Sequence, residues 1–241
     1  MSSAASDAVA IRERPAKQVL WDAFCAAHDI AGTGVPLFST DADGAVEVFA
    51  YGRDGRPMLR RSAEMEALLV CTVDQILASA PGEAEGVLYM MYVLDAAGRV
   101  VPLYVGKAGR HGRTGGMSAN LHSIRSSTGK FARWGYNYAY HLGDLSAAVL
   151  PGHVPSRVVP MYQRWATRLF VEAPAAAPRL RMPVRFWCTC WGPGSRNIWA
   201  EFGNCPLAFA EYLLIGVAGL LFPGALLNDE GVNHAAADGE G

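Results

Sequence analysis

Hydrophobic residues recur at alternate positions along two short stretches near the middle of the chain, residues 86–94 and 101–106. Both stretches are rich in β-branched and aromatic side chains, and residues 95–99 separate them with a glycine-containing segment. Two such runs joined by a short polar turn are typical of a β-hairpin. We therefore predict a central hairpin in which Gly106 lets the second strand leave the sheet, followed by a basic, glycine-rich loop.

The spacing of hydrophobic residues also predicts helices and strands on both sides of this hairpin. Before it, we expect a frayed leader, a helix over residues 16–31, a second hairpin of residues 46–51 and 57–59, and a helix over 62–79 with Ser62 as its N-cap. After it, we expect helices over 118–127, 162–171 and 206–227, and strands over 136–142 and 180–191.

Charge divides the chain more sharply than its formal net charge of −1 suggests. Residues 96–200 contain 14 Lys and Arg residues against two acids, Asp144 and Glu172, and no acid occurs in residues 96–143. A block of one sign in a neutral chain favours a polyanionic partner, and the alternative is a solvated face with scattered charge. Basic residues interleaved with the aromatics of 131–140 predict either a base-stacking surface or ordinary packing at a sheet edge.

The five cysteines are an odd number, and no secretory signal precedes them. A disulfide framework is therefore not expected. Cys188 and Cys190 lie two residues apart, which places them on one face of a strand. Because a zinc site needs a second pair of ligands at suitable spacing, we interpret these cysteines as buried thiols.

Residues 206–227 form a long apolar segment that could be read as a C-terminal membrane anchor. Glu211 lies inside it, and a carboxylate at the centre of a bilayer is costly. Gly216, Gly219 and the Pro223-Gly224 pair also interrupt it. We therefore predict a buried core helix that carries one acid, and no association with a membrane.

An acid in an apolar helix requires a partner, a metal ion or a function. Glu211 could bind Mg²⁺ with several waters retained, which is the coordination that this ion prefers. Tyrosines of the hairpin and a nearby arginine would then flank a reacting phosphate. Such a set would suit phosphoryl displacement, in which cations offset the charge that develops on the phosphoryl oxygens.

The order of these residues resembles the signature of the GIY-YIG endonuclease superfamily. The resemblance spans residues 86–228: GVLY at 86–89, LYVGKA at 103–108, basic residues after it, and EYLLIGVAGLLFPGALLN at 211–228. It implies an α+β fold with a small antiparallel β-sheet flanked by helices, here with an N-terminal α/β extension. It also implies a metal-dependent endonuclease that hydrolyses DNA with Mg²⁺ or Mn²⁺.

The resemblance further implies the roles of individual residues. The implied catalytic residues are Tyr89, Tyr104, Arg113, Glu211 and Asn228, with Glu211 also the metal ligand. The implied nucleic-acid-binding residues are Lys107, Arg110, Arg125, Lys130 and Arg133. Two positions stay open: Tyr92 competes with Tyr89 because the first motif is stretched by one residue, and Arg133 is the second choice for the arginine. A histidine, at 111, 122 or 141, could assist.

We therefore expect an accessory region at residues 1–82, a nuclease domain at 83–228 with an insertion at about 114–200, and a disordered acidic tail at 229–241. The leading hypothesis is an endonuclease of the restriction, mobile-element or repair type. The alternative is a catalytically inactive module of the same fold that binds nucleic acid. We take the cytoplasm as the default location.

Overall fold

A computed structural model describes residues 3–112, 116–122, 124, 126–127 and 141–229. For residues 3–13 and 119–120 it describes the backbone alone. In chain order its elements are α1 (Ser3–Ala27), α2 (Ile30–Thr33), β1 (Val35–Pro36), β2 (Val48–Tyr51), β3 (Arg56–Leu59), α3 (Ala63–Ala78), β4 (Gly86–Leu94), β5 (Val100–Gly109), α4 (Ala119–His122), α5 (Leu142–Val149), α6 (Pro160–Leu169), β6 (Arg185–Trp191) and α7 (Leu207–Leu221). Short 3-10 turns occur at Pro155–Arg157 and Ala200–Phe202.

Four strands form the central antiparallel sheet in the order β1-β6-β4-β5, and β2 and β3 form a separate two-stranded sheet. Strand β4 lies between β5 and β6, which explains why its residues from Gly86 to Val93 are all buried. The predicted fold class is confirmed: the chain is α+β, with a small antiparallel sheet flanked by helices.

Each face of the sheet is covered by its own hydrophobic core. On one face, Val87, Tyr89 and Met91 pack with residues of α3, α5 and α6. On the other, Leu88, Met90 and Tyr92 pack with residues of α1 and α7. Side chains along a strand point alternately to its two faces, so successive β4 residues belong to different cores.

The predicted central hairpin is confirmed, but Gly106 does not end its second strand. Strand β5 continues through Gly106 to Gly109, because backbone pairing with β4 persists as far as the Gly86–Gly109 pair. The second predicted hairpin is also confirmed as β2 and β3. Ser62 caps α3 as predicted, with its Oγ accepting a hydrogen bond from the Met65 amide at 2.9 Å.

Several predicted boundaries and elements are wrong. The frayed leader is helical from Ser3, in a segment rich in alanine, which favours helix. Helix α1 ends at Ala27 rather than at residue 31, because Asp29 adopts a left-handed conformation with φ 43°. The helix predicted over 118–127 is described as the four residues of α4. The helix predicted over 162–171 spans Pro160–Leu169, and the strand predicted over 180–191 spans Arg185–Trp191.

The strand predicted over residues 136–142 falls largely outside the described residues, but its last position is wrong. Leu142 begins helix α5, directly after His141 with φ 60°. Nearly every residue of α5 is buried, including Asp144 and Ser146. Nothing local marks its start, since His141 at the N-cap position makes no side-chain capping hydrogen bond.

The last apolar segment forms a helix as we predicted, but it ends at Leu221 rather than at residue 227. Only part of it is buried, because Phe209, Tyr212 and Leu220 are exposed. Phe222 and the Pro223-Gly224 turn follow it, because proline cannot continue a helix. None of the helices in the described part of the chain combines the length and the hydropathy needed to cross a membrane.

Candidate active site at the edge of the sheet

Strands β4 and β5 bring the two tyrosines of the motif together. Tyr89 lies opposite Gly106 in the β4–β5 register, and Tyr104 lies opposite Met91 on the same face of the sheet. The Tyr89 and Tyr104 rings are stacked, with centroids 6.4 Å apart and planes at 23°. Tyr89 is buried and Tyr104 is partly buried.

Two glycines allow this close pairing of the strands. A Cβ atom on Gly106 would lie 2.5 Å from the Tyr89 ring, and one on Gly86 would lie 2.2 Å from the Ala108 carbonyl oxygen. Real Cβ atoms do not approach other atoms so closely. The Tyr89 ring therefore packs against the Cα of Gly106, in the space that the side chain of any other residue would occupy.

The alternative Tyr92 points to the other face and makes different contacts. Its hydroxyl donates a hydrogen bond to the Ile30 carbonyl at 2.7 Å and accepts one from Arg185 Nε at 3.2 Å. A register shift falls between Met91 and Tyr92. Tyr92 thus ties α2 to the sheet, whereas Tyr89 lies beside Tyr104.

Three further side chains, His141, Tyr162 and Trp165, lie beside the two tyrosines. We call these five residues, Tyr89, Tyr104, His141, Tyr162 and Trp165, the aromatic cluster. The Tyr104 ring centroid lies 4.9 Å from that of His141 and 5.1 Å from that of Trp165. His141 Nδ1 and the Tyr162 hydroxyl are 2.8 Å apart and share a hydrogen bond. The cluster therefore joins β4 and β5 to the start of α5 and to α6.

Burial controls protonation in this cluster. It raises the pKa of Tyr89 well above the usual value, and the charges of Tyr104, Glu211 and Tyr162 raise it further. The pKa of Tyr162 is also raised, mainly by burial and secondarily by the negative charge of Asp144. Burial lowers the pKa of His141 to about 3. Near neutral pH, the Tyr89 and Tyr162 phenols are therefore protonated and His141 is neutral.

Helix α7 carries Glu211 to the opposite face of the same hairpin. The helix begins where the Leu207 amide donates to Glu85 Oε2 at 2.7 Å, directly before β4. Glu211 Oε2 accepts from Lys107 Nζ at 2.6 Å, and the two side chains are 14% and 34% exposed. Lys107 lies opposite Leu88, so this ion pair and the two tyrosines lie on different faces of the sheet.

Asn228 binds the main chain of the strand that carries Tyr104. Its Oδ1 accepts from the Val105 amide at 3.1 Å, and its Nδ2 donates to the Val105 carbonyl at 2.8 Å. The neighbouring Leu227 amide donates to the Leu103 carbonyl at 2.7 Å. The chain after α7 thus covers part of the outer edge of β5.

Glu211, the predicted metal ligand, forms an ion pair with a lysine of the protein itself. Among the described residues, no group of three or more His, Cys, Asp or Glu side chains is placed to hold a metal ion. Glu211 alone, with an oxygen engaged by Lys107, does not make a resident metal centre. It fits a Mg²⁺ ion that would be shared with water and a substrate phosphate, since this ion commonly uses one or two carboxylates.

The basic residues predicted to act on or bind nucleic acid occupy different environments. Lys107 is half-buried in its ion pair with Glu211. Arg110 donates to the Ser79 and Ala80 carbonyls at 3.0 and 3.3 Å, directly after the end of α3, so its guanidinium joins two elements. The positions outside the described residues are Arg113, Arg125, Lys130 and Arg133. Of the three histidines considered, His111 and His122 are exposed and His141 belongs to the aromatic cluster.

Sequence reasoning did not assign Tyr162 or Trp165 to the site. Both lie on the buried face of α6, which the hydrophobic period had predicted as an amphipathic helix. Nothing in their spacing relates them to Tyr104, about 60 residues earlier. Comparisons of the chain with models of protein families, with curated proteins and with solved structures found no match.

Proposed function

We propose that this protein is an endonuclease that hydrolyses phosphodiester bonds in DNA. The observation that carries the proposal is the convergence on strand β5 of four motif segments that are distant in sequence. Tyr89 packs over Gly106, Tyr104 lies beside Tyr89, Lys107 binds Glu211, and Asn228 binds Val105.

The chemistry that these residues could perform follows from their exposure. Tyr104 and Lys107 are partly exposed on the edge strand β5, one on each face of the sheet, so a phosphate at this edge could touch both. The Lys107 ammonium would neutralise charge that develops on the phosphoryl oxygens. Glu211, held beside it, would accept a hydrogen bond from the attacking water. A Mg²⁺ or Mn²⁺ ion, held by Glu211 when bound, would stabilise the leaving oxygen.

Tyr89 and Asn228 act in this proposal as positioning residues. Tyr89 is buried with its pKa raised, so its protonated phenol supports the Tyr104 strand rather than taking a proton from water. Asn228 holds Val105, the residue that follows Tyr104. Arg113, with Arg133 as second choice, remains the proposed arginine. The proposed location is the cytoplasm, in keeping with five free cysteines.

One observation favours a second function, the inactive module that binds nucleic acid without cutting it. The Glu211 carboxylate is already neutralised by Lys107 at 2.6 Å. A carboxylate with one oxygen held in a close ion pair has less room to coordinate a metal ion than an unpaired one. On this alternative, the Lys107–Glu211 pair serves to join β5 to α7.

The test is cleavage of supercoiled plasmid and of branched DNA, with Mg²⁺, with Mn²⁺ and with a chelator. Wild type is compared with Glu211→Gln and Tyr104→Phe, and with Glu64→Gln as the control, since Glu64 is an exposed acid on α3. We expect metal-dependent cutting by wild type and Glu64→Gln. Both site variants should lose most of it while keeping their folded circular dichroism spectra.

The other outcomes assign the protein differently. Salt-sensitive DNA binding by a wild-type protein that cuts no substrate would replace the endonuclease with the binding module. Cutting that survives Glu211→Gln unchanged would show that another site performs the reaction. Neither cutting nor binding of DNA would overturn both proposals.

A further inference from the structure

A groove lined with arginines runs along helix α6, beside the candidate active site. It has a volume of about 920 Å³ and lies between α6 and the chain at residues 224–227. Its walls include Arg164, Arg168 and Arg181, with Gln163 and Thr167 between them. We call it the arginine groove. None of these three arginines is among the residues that the motifs assign.

The three arginines approach the groove from α6 and from the chain that follows it. Arg164 and Arg168 are exposed and lie four residues apart, and thus on one side of α6. Arg181 donates from Nε to the Thr167 carbonyl and from Nη2 to the Val171 carbonyl, both at 3.2 Å. Its cation therefore sits at the C-terminal end of α6, where the helix dipole favours positive charge.

The groove is connected to the tyrosine strand through direct contacts. Leu227, in the groove wall, donates its amide to the Leu103 carbonyl and accepts from Trp165 Nε1 at 3.2 Å. Trp165 follows Arg164 on α6, and its ring lies 5.1 Å from the Tyr104 ring. A chain bound in the groove would therefore lie one side chain away from Tyr104.

The composition of this region favours an oxyanion that can accept paired hydrogen bonds, as phosphate does. Residues 157–185 contain six arginines and no lysine, and Glu172 is their single acid. The planar guanidinium forms paired hydrogen bonds with phosphate oxygens, which a lysine ammonium cannot do in the same fixed geometry. Thr167 and Gln163 offer further polar groups for a sugar-phosphate chain.

One of these arginines forms an ion pair with an acid of the C-terminal chain. Arg164 Nη2 binds Asp229 Oδ1, and each of these side chains is about half exposed. Asp229 directly follows Asn228, which is bound to β5. An exposed ion pair of this kind is weak and can be exchanged for a phosphate. Asp229 therefore occupies the position at Arg164 that a substrate phosphate would take.

We propose that the arginine groove binds the phosphodiester backbone of DNA and leads it to Tyr104, with Asp229 competing for Arg164. This inference rests on the proposed action on DNA, and it assigns the residues that hold the substrate. The binding is independent of base sequence, because phosphate contacts position a nucleic acid without reading its bases.

The experiment measures binding of a short fluorescein-labelled DNA duplex by fluorescence anisotropy over a range of NaCl concentrations. All proteins carry Glu211→Gln and are kept in chelator, so that cutting does not interfere. The double variant Arg164→Gln/Arg168→Gln should bind more weakly. Its plot of log affinity against log salt should lose about 0.9 in slope for each phosphate contact removed.

Two further variants test whether the groove, rather than the overall charge of the protein, determines the affinity for DNA. Arg53→Gln removes one exposed arginine from the turn between β2 and β3, outside the groove, and should bind as the parent protein does. Asp229→Asn should bind DNA more tightly, because it releases Arg164. Unchanged thermal unfolding shows that each variant is folded.

Each remaining result contradicts the proposal. Parent-like affinity in Arg164→Gln/Arg168→Gln, or an equal loss in Arg53→Gln, would overturn it. Binding to phosphatidylserine vesicles with no binding to the duplex would assign the groove to a membrane surface instead. These measurements need no catalysis, so failure of the groove and failure of the plasmid assay are distinguishable: either can occur without the other.

Discussion

Gly106 determines how closely the two tyrosines of the site can approach. The Tyr89 ring occupies the space beside the Gly106 Cα, where a Cβ would lie 2.5 Å from the ring carbons and 2.7 Å from the hydroxyl oxygen. Tyr89 is also fully enclosed by the core on that face. Because well-packed interiors leave little room for side chains to shift, this position does not accept even one methyl group easily.

We expect Gly106→Ala to lower the free energy of unfolding by about 1–3 kcal/mol, as overpacking of a core does. The measurement is urea denaturation followed by tryptophan fluorescence. Gly109→Ala is a matched control on the same strand, because the nearest atom to a Cβ there, the His111 carbonyl oxygen, is 3.5 Å away. Equal costs at both positions would refute the contact with Tyr89 as the cause.

A second variant tests the same contact. In a Tyr89→Leu background the ring is absent, so adding Gly106→Ala should cost less than it does in the wild type. Contacting residues couple in this way, whereas independent ones give additive costs. Additive losses would mean that the alanine is disfavoured for another reason.

At the scale of elements, β5 has an exposed edge that the C-terminal chain partly closes. Asn228 supplies a donor and an acceptor to Val105, in the way a neighbouring strand would. Leu227 adds one more hydrogen bond to Leu103. Unpaired strand edges invite association with other chains, and covering them is a common protection.

We expect Asn228→Ala to destabilise the protein by about 1–3 kcal/mol, because the buried Val105 amide and carbonyl would lose their partners. Asn204→Ala is the control: Asn204 is exposed, and a surface change of this kind is expected to stay within about 0.5 kcal/mol. Thermal unfolding checks both variants. Loss of activity in Asn228→Ala with unchanged stability would instead indicate a direct role in chemistry.

At the scale of the whole molecule, residues 1–82 share both cores with the sheet. Leu37, Phe38 and Leu69 belong to the same buried cluster as Tyr89, and Trp21 belongs to the cluster on the other face. Strand β1 also pairs with β6. The region predicted as accessory therefore contributes to the packing that supports the candidate site.

We expect a fragment of residues 83–229 to lack cooperative thermal unfolding, since each face of its sheet would lose part of its cover, α3 from one face and α1 from the other. Co-expression with a fragment of residues 1–82 should restore a folded complex, which size-exclusion chromatography and circular dichroism would detect. A fragment 83–229 that unfolds cooperatively near the midpoint of the full chain would contradict this expectation. It would then define an independent domain.

Local patterns were sufficient for many elements and for part of the site. The alternation in residues 86–94 and 101–106 predicted the hairpin, Ser62 predicted the start of α3, and Glu211 in an apolar run predicted a buried helix with one acid. These features depend on residues close together in sequence, and their physical causes are local: strand alternation, helix capping and the cost of a buried charge. The resemblance supplied Tyr89, Glu211 and Asn228 as a set.

Other features depended on which surfaces meet in three dimensions. Helix α5 begins after His141, which is not a residue type that marks a helix start, and Gly106 remained within the strand because pairing with β4 continues past it. The ion pair of Glu211 with Lys107 joins residues 104 positions apart. The aromatic cluster and the arginine groove likewise combine residues distant in the chain.

The sequence by itself determined the central hairpin and the one acid of α7, because each follows from short-range pattern, and its resemblance to a known family supplied the α+β class. Tertiary structure alone decided that Tyr89 lies over Gly106, that Lys107 neutralises Glu211, and that Asn228 holds the edge of β5. The physical reason is that packing, desolvation and pairing of charges act between surfaces, and the chain brings those surfaces together only when it folds.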